Sequence, residues 1–193
     1  IGAVLFIQFP PLAKNVISAS KEVASLFLVI FSIGVSIGSV SVNALLKGTV
    51  SARYSPASVL VMAVFVVAFW WVCHSWPTEA HDHLLDTAGF LREPLAIPLL
   101  LSLLGIAVAG GMFVVPLYAF LTTFVEKSET ARTIAANNIV NSGAMVLGSV
   151  LALGMSAAGF PMVDQLLLGA AMCLYSAWLG QKLVVAERAA ALT

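Results

Sequence analysis

Charge is what this chain has least of. Asp, Glu, Lys and Arg make up 9% of its 193 residues, against roughly 25% in an average soluble domain. A chain this poor in charge and 61% hydrophobic cannot cover a soluble globule with polar surface. The mean hydropathy of +1.04 therefore points to an integral membrane protein. The formal net charge is zero, which excludes the basic footprint of a nucleic-acid binder. With two cysteines, Cys73 and Cys173, lying in separate apolar runs, a disulfide framework is not expected, and both read as small apolar fillers. No glycine-rich phosphate loop, HExxH or nucleophile motif occurs, so this chain is not expected to be an enzyme, nor to carry a cofactor. No Lys, Arg, Asp, Glu or His stands at the centre of an apolar run, which leaves no candidate for a proton relay within the membrane.

Long apolar runs are what the chain does have. They cover 1–13, 23–46, 57–73, 95–125, 134–159 and 162–185, and the last five are near the ~20 residues that a helix needs to span a bilayer. The run at 1–13 is too short to span ~30 Å at ~1.5 Å per residue, and it lacks the basic start of a signal peptide. It is read as the end of a truncated helix in a fragment of a longer protein. The connections are short except for a hydrophilic loop over 74–94. That loop holds His74, Glu79, His81, Asp82, His83 and Asp86, but at no recognised ligand spacing, so it is read as solvated and no metal is expected. Lys47, Arg53, Lys127, Arg132, Lys182 and Arg188 fall on one side of the runs and only Lys14, Lys21 and Arg92 on the other. The positive-inside rule makes the first side cytoplasmic, together with both ends of the segment set.

Polar and small residues inside these runs are the candidates for function. The stretch Leu104 to Asn141 places Gly105, Gly110, Gly111 and Pro116 in one run and opens the next with Asn137, Asn138 and Asn141. An unpaired amide in hydrocarbon costs on the order of several kcal/mol, so these side chains must be paired or hydrated. Ser32, Ser36, Ser39 and Asn43 recur at spacings of four, three and four, one helical stripe. The reading leaves open whether that stripe bonds a neighbouring helix or faces water. Gly34 and Gly38 form a GxxxG pair that allows close helix packing. Pro10 and Pro11 beside Gln8 predict a break near the end of the first helix. The 59–72 stretch is apolar on all faces and is expected at the periphery, with Trp70, Trp71 and Trp76 forming an aromatic belt. Gly169, Cys173, Ser176 and Gly180 form a further packing stripe.

Several motifs carry a family resemblance. The stretches GAVLFIQFPPLAKNVI, FSIGVSIGS, LLKGTVSARYSP and AGGMFVVPLYAFLTTFVEKSETARTIAANN resemble the C-terminal half of the lysophospholipid-transporter branch of the major facilitator superfamily. The resemblance covers nearly the whole chain. It implies an all-α integral membrane fold, the six-helix half of a facilitator, with the runs serving as helices seven to twelve and with seven, eight, ten and eleven around a central cavity. It implies transport or flipping of lysophospholipids across a bacterial inner membrane for reacylation. The partners would be membrane lipid, a preceding six-helix half and, in many members of the branch, a fused or adjacent acyltransferase or synthetase. Gln8, Ser36, Tyr118, Asn137 and Asn141 are the expected substrate contacts, and Gly34, Gly38, Gly110 and Gly111 are expected to serve helix packing and motion. Two rival readings remain: export of small amphipathic drugs or metabolites, and a membrane anchor for a fused enzyme domain beyond Thr193.

Overall fold

The computed structural model describes residues 2–47, 51–77, 84–123 and 125–190, except for the side chains of 2–8 and 187–190. The described residues form seven helices and no named strand. These are α1 (Gly2–Asn15), α2 (Lys21–Leu46), α3 (Ser55–His74), α4 (Thr87–Arg92), α5 (Ala96–Thr123), α6 (Thr130–Ala157) and α7 (Gln165–Ala190). α2, α3, α5, α6 and α7 are long and apolar enough to cross a membrane. The chain is thus all-α, with the helices of a multi-pass membrane protein. Each apolar run lies largely within a helix of its own.

Pairwise contacts order the helices α1, α2, α5, α3, α7, with α6 set beside α5 and α1. The α2–α5 contact holds this row together, and glycine makes it possible. In lipid there is little hydrophobic drive for helices to associate, so stability comes from close approach and many van der Waals contacts. A methyl at Gly34 would lie 2.5 Å from Ala107 Cβ, and one at Gly111 would lie 2.5 Å from the Val35 carbonyl oxygen. A methyl at Gly38 would overlap the carbonyl oxygen of Val108. The two backbones therefore touch, close enough for Cα–H contacts to carbonyl oxygens. Gly110 faces α3 instead, where an added methyl would meet Met62 Sδ at an ordinary 3.6 Å. Gly105 accepts the ring of Phe65 on that same α3 side, a packing role that spacing alone did not single out.

Three sequence expectations need correction. The helix does not break at Pro10 and Pro11, because α1 continues to Asn15. Two lost N–H donors do not end a helix whose following turn still closes, and Val16 N–H donates to the Leu12 carbonyl at 3.0 Å. The chain turns two residues later, at Ser18, whose φ of 54° is left-handed. The helix at 55–74 does expose an apolar side, Leu60, Val61, Val64, Val67 and Trp71, as a lipid-facing helix would. It does not face lipid all round, because its opposite side is buried against α5 and α7. It has the largest buried share of the five spans, 44%. An apolar residue does not distinguish lipid from protein, so uniform hydropathy could not reveal this. On α7 the buried stripe is Leu166, Ala170, Cys173 and Ala177, ending at Gly180 against Pro56. Gly169 meets open space.

Glu79, His81, Asp82 and His83 lie outside the described residues, and over 84–93 the hydrophilic loop differs from a solvated strand of chain. The Leu85 N–H donates to the Ser18 carbonyl and the Ser20 N–H to the Leu85 carbonyl, each at 2.9 Å. Asp86 then caps α4 by accepting the Gly89 N–H at 2.7 Å. Phe90, fully buried, stacks on Trp76 at 5.8 Å and meets Phe27 edge-on at 5.8 Å. Phe27 in turn meets Phe9, which also contacts Phe31. An aromatic column thus ties α1, α2, α4 and the end of α3 together, so Trp76 belongs to this core and Trp71 alone of the three tryptophans is mostly exposed, at 65%.

Gly38→Ala is expected to destabilise the chain by about 2–3 kcal/mol, the scale of forced overpacking. Gly110→Ala should stay within about 0.5 kcal/mol. Unfolding of both variants in mixed micelles checks this, and an equal loss at the two positions would refute the backbone contact.

Candidate functional site

Helix α6 stands apart from the others. Only 6% of its span is buried, and Gly148 is the one buried position among its described residues. Its Ile139, Val140, Val146, Leu147 and Leu153 are all largely exposed. A shallow, open surface runs along it past Met145, Val146, Ser149, Val150 and Leu153. With so little packing, hydrogen bonds matter more in fixing where this helix sits.

Those bonds meet at Tyr118. Asn137 Nδ2–H donates to Tyr118 Oη at 2.9 Å. The Tyr118 hydroxyl donates in turn to Asn138 Oδ1 at 3.4 Å, a long bond at the weak end of the range. The phenol so joins the last turns of α5 to the first turns of α6. Positions 137 and 138 are about 100° apart on a helix and bracket the direction in which a single incoming side chain arrives. Tyr118 remains 43% exposed, so the node borders open space and is accessible from it. Around it, Thr122 and Thr123 return their hydroxyls to carbonyls of Tyr118 and Ala119 on their own helix. Pro116, buried two residues before Tyr118, has no N–H, so the helix lacks one backbone bond just below the phenol.

The structure brings together two of the five residues expected to contact a substrate, Tyr118 and Asn137. Asn138 joins them, and its role was obscured because a face-sharing argument favours residues four apart. Asn141 is exposed one turn further on and makes no side-chain hydrogen bond among the described residues. The side chain of Gln8 lies outside the described residues. Ser36 donates to the Ser32 carbonyl at 2.9 Å, Ser32 to that of Leu28 at 2.8 Å and Ser39 to that of Val35 at 2.7 Å. The serine stripe thus bonds to its own helix, and no bond to a neighbouring helix is made by these three. Ser32, Ser36 and Asn43 are exposed.

At the opposite end of the bundle Trp70 Nε1–H donates to Asp164 Oδ1 at 3.0 Å and its ring stacks on His74 at 5.4 Å. This contact pins the α6–α7 turn to α3. It was missed because a tryptophan near a span end reads first as a bilayer anchor. No group of three His, Cys, Asp or Glu side chains able to hold a metal ion exists among the described residues.

The node can offer hydrogen-bond donors and acceptors, and none of its three side chains is a carboxylate, an amine, a guanidinium or an imidazole. It can therefore hold a polar, uncharged or zwitterionic group. Tyr118→Phe removes the hydroxyl that both amides share. Its expected effect is a loss of about 1 kcal/mol, with faster amide exchange through the first turns of α6. Asn141→Ala should change neither quantity, and exchange unaltered in Tyr118→Phe would show that the node does not hold α6. Comparison with family models, curated proteins and solved structures finds no match to this chain.

Proposed function

We propose that this chain is one six-helix half of an alternating-access transporter that moves or flips lysophospholipids across a bacterial inner membrane, with both ends of the half in the cytoplasm. The observation that carries the reading is the Tyr118–Asn137–Asn138 node, an uncharged polar group on the least packed helix of the bundle. A purely structural network would be expected among buried helices. This one borders open space, and its three side chains can exchange each internal hydrogen bond for one to a ligand.

A lysophospholipid has a polar head and one acyl chain. Amides and a phenol suit the head, and the exposed apolar face of α6, Val146, Val150 and Leu153, suits the chain. The exposed serine stripe of α2 would form a second wall of the same cavity. A preceding six-helix half would supply the opposite walls and cover α6. The family resemblance of the AGGMFVVPLYAFLTTF and AANN stretches supports the same assignment, as does the asymmetry of Lys and Arg for orientation.

The test is transport of labelled lysophosphatidylethanolamine by the full-length protein in proteoliposomes. Losing one ligand hydrogen bond of about 1.4 kcal/mol corresponds to a tenfold change, so Asn137→Ala is expected to lower transport about tenfold. Gly110→Ala should transport normally. Transport by Asn137→Ala at the wild-type rate would remove the node from the substrate path, and no transport by the wild type would leave the anchor reading in its place.

A further inference from the structure

Two cations at one end of the bundle lie over aromatic rings instead of against carboxylates. Lys182 Nζ sits 3.7 Å above the Trp178 ring, which is itself stacked on Tyr175 at 5.8 Å. The Arg53 guanidinium carbon lies 4.6 Å from the centre of the Tyr54 ring, and the guanidinium also donates to the Tyr54 hydroxyl. One pair lies on α7 and the other immediately before α3, and these two helices pack together. Their depth is fixed by one contact, because a methyl at Gly180 would touch Pro56 at 3.4 Å. Tyr54 precedes Pro56 by two residues and Lys182 follows Gly180 by two, in antiparallel helices. Both pairs therefore fall at one level, about 3 Å beyond the contact at ~1.5 Å per residue.

This level is the end of a membrane span. The apolar part of α7 runs to Ala186, and α3 begins at Ser55. Trp178, Tyr175, Leu174 and Leu179 all keep more than a third of their surface exposed on α7. Tyr54 and Trp178 lie within about 3 Å of the level of Gly180, with Tyr175 and Leu174 deeper along α7. A ring face attracts the cation without accepting its N–H donors, and among the described residues Arg53 gives one of its several donors to the Tyr54 hydroxyl. No carboxylate takes those donors among the described residues. Glu126 and Glu129 at this end lie on the α5–α6 turn, and the side chain of Glu187 lies outside the described residues. The unmet chemistry is that of a phosphate oxygen.

We infer that this end of the α3–α7 pair binds the phosphate of anionic phospholipids, with Lys182 on Trp178 and Arg53 on Tyr54 as two headgroup contacts at one bilayer level. The stacked ring orients each cation toward the headgroup layer, and Leu174 and Leu179 lie along the acyl chain. The inference depends on the multi-pass character of the chain and is independent of what the protein transports. Basic residues at helix pairs near a leaflet surface recognise anionic headgroups in this way.

The test is native mass spectrometry of the full-length protein from detergent, with phosphatidylglycerol or phosphatidylcholine added at equal concentration, and melting measured in parallel. Wild type is expected to retain phosphatidylglycerol at least fivefold better than phosphatidylcholine and to melt higher with it. Arg53→Gln with Lys182→Gln should lose that preference, Lys182→Arg should keep it, and Trp178→Leu should weaken it severalfold. Equal retention of the two lipids by wild type would overturn the inference. So would a preference unchanged in the double glutamine variant, or a melting rise given equally by inorganic phosphate alone.

Discussion

The backbone contact between α2 and α5 is the constraint on which the rest of the bundle depends. Helices in lipid gain little from hiding apolar surface from one another, so the closest approach decides which pair holds and at what register. Here glycine is needed from both partners, Gly34 and Gly38 on one and Gly111 on the other. The seam fixes α5, and α5 then fixes α3 through the Gly105 and Phe65 fit. α3 in turn carries α7. The same helix α5 carries the functional candidate, Tyr118, whose hydroxyl meets Asn137 and Asn138 of α6.

The two ends of the bundle are joined differently. Where α1 meets α2, backbone bonds between the 18–20 turn and Leu85 combine with the aromatic column from Phe31 to Trp76. Four elements converge there, and edge-on and stacked rings add roughly 0.5–1.5 kcal/mol per pair beyond burial. At the end where α5 meets α6, the Tyr118 node and slight packing hold the helix. One end of the structure is thus over-determined and the other is held lightly. A difference of this kind lets one helix shift while the row α1, α2, α5, α3 and α7 keeps its order.

Much of this architecture was legible in the sequence because hydropathy sums over many residues. The apolar runs lie largely within the helices, and GxxxG at Gly34 identified a real contact surface. Faces were harder to read. Val61 and Val66 are equally apolar, yet one is half exposed and the other buried, since lipid and protein interior reward the same side chains. The loop at 74–94 misled for the converse reason: its acids and histidines hid Phe90, one residue whose burial organises an entire end. In the site, Tyr118 and Asn137 were legible as polar groups needing partners. Their pairing with Asn138 was not, because it depends on the rotation of α5 relative to α6.

The lack of charge at the node bears on how such a helix could switch. A buried ion pair broken during motion would leave an uncompensated charge, at a cost of roughly 3–5 kcal/mol. An amide–phenol bond contributes about 0.5–1.5 kcal/mol net, and a ligand or water replaces most of it. Two positions of α6, one closed on Tyr118 and one bonded to a ligand, would then differ by no more than a few kcal/mol, the gap across which binding shifts a population. A carboxylate or lysine at Asn137 would raise that gap and hold the helix in one state. An uncharged node on a sparsely packed helix is therefore a coherent pair of properties: the bonds are strong enough to place α6 and weak enough to be exchanged.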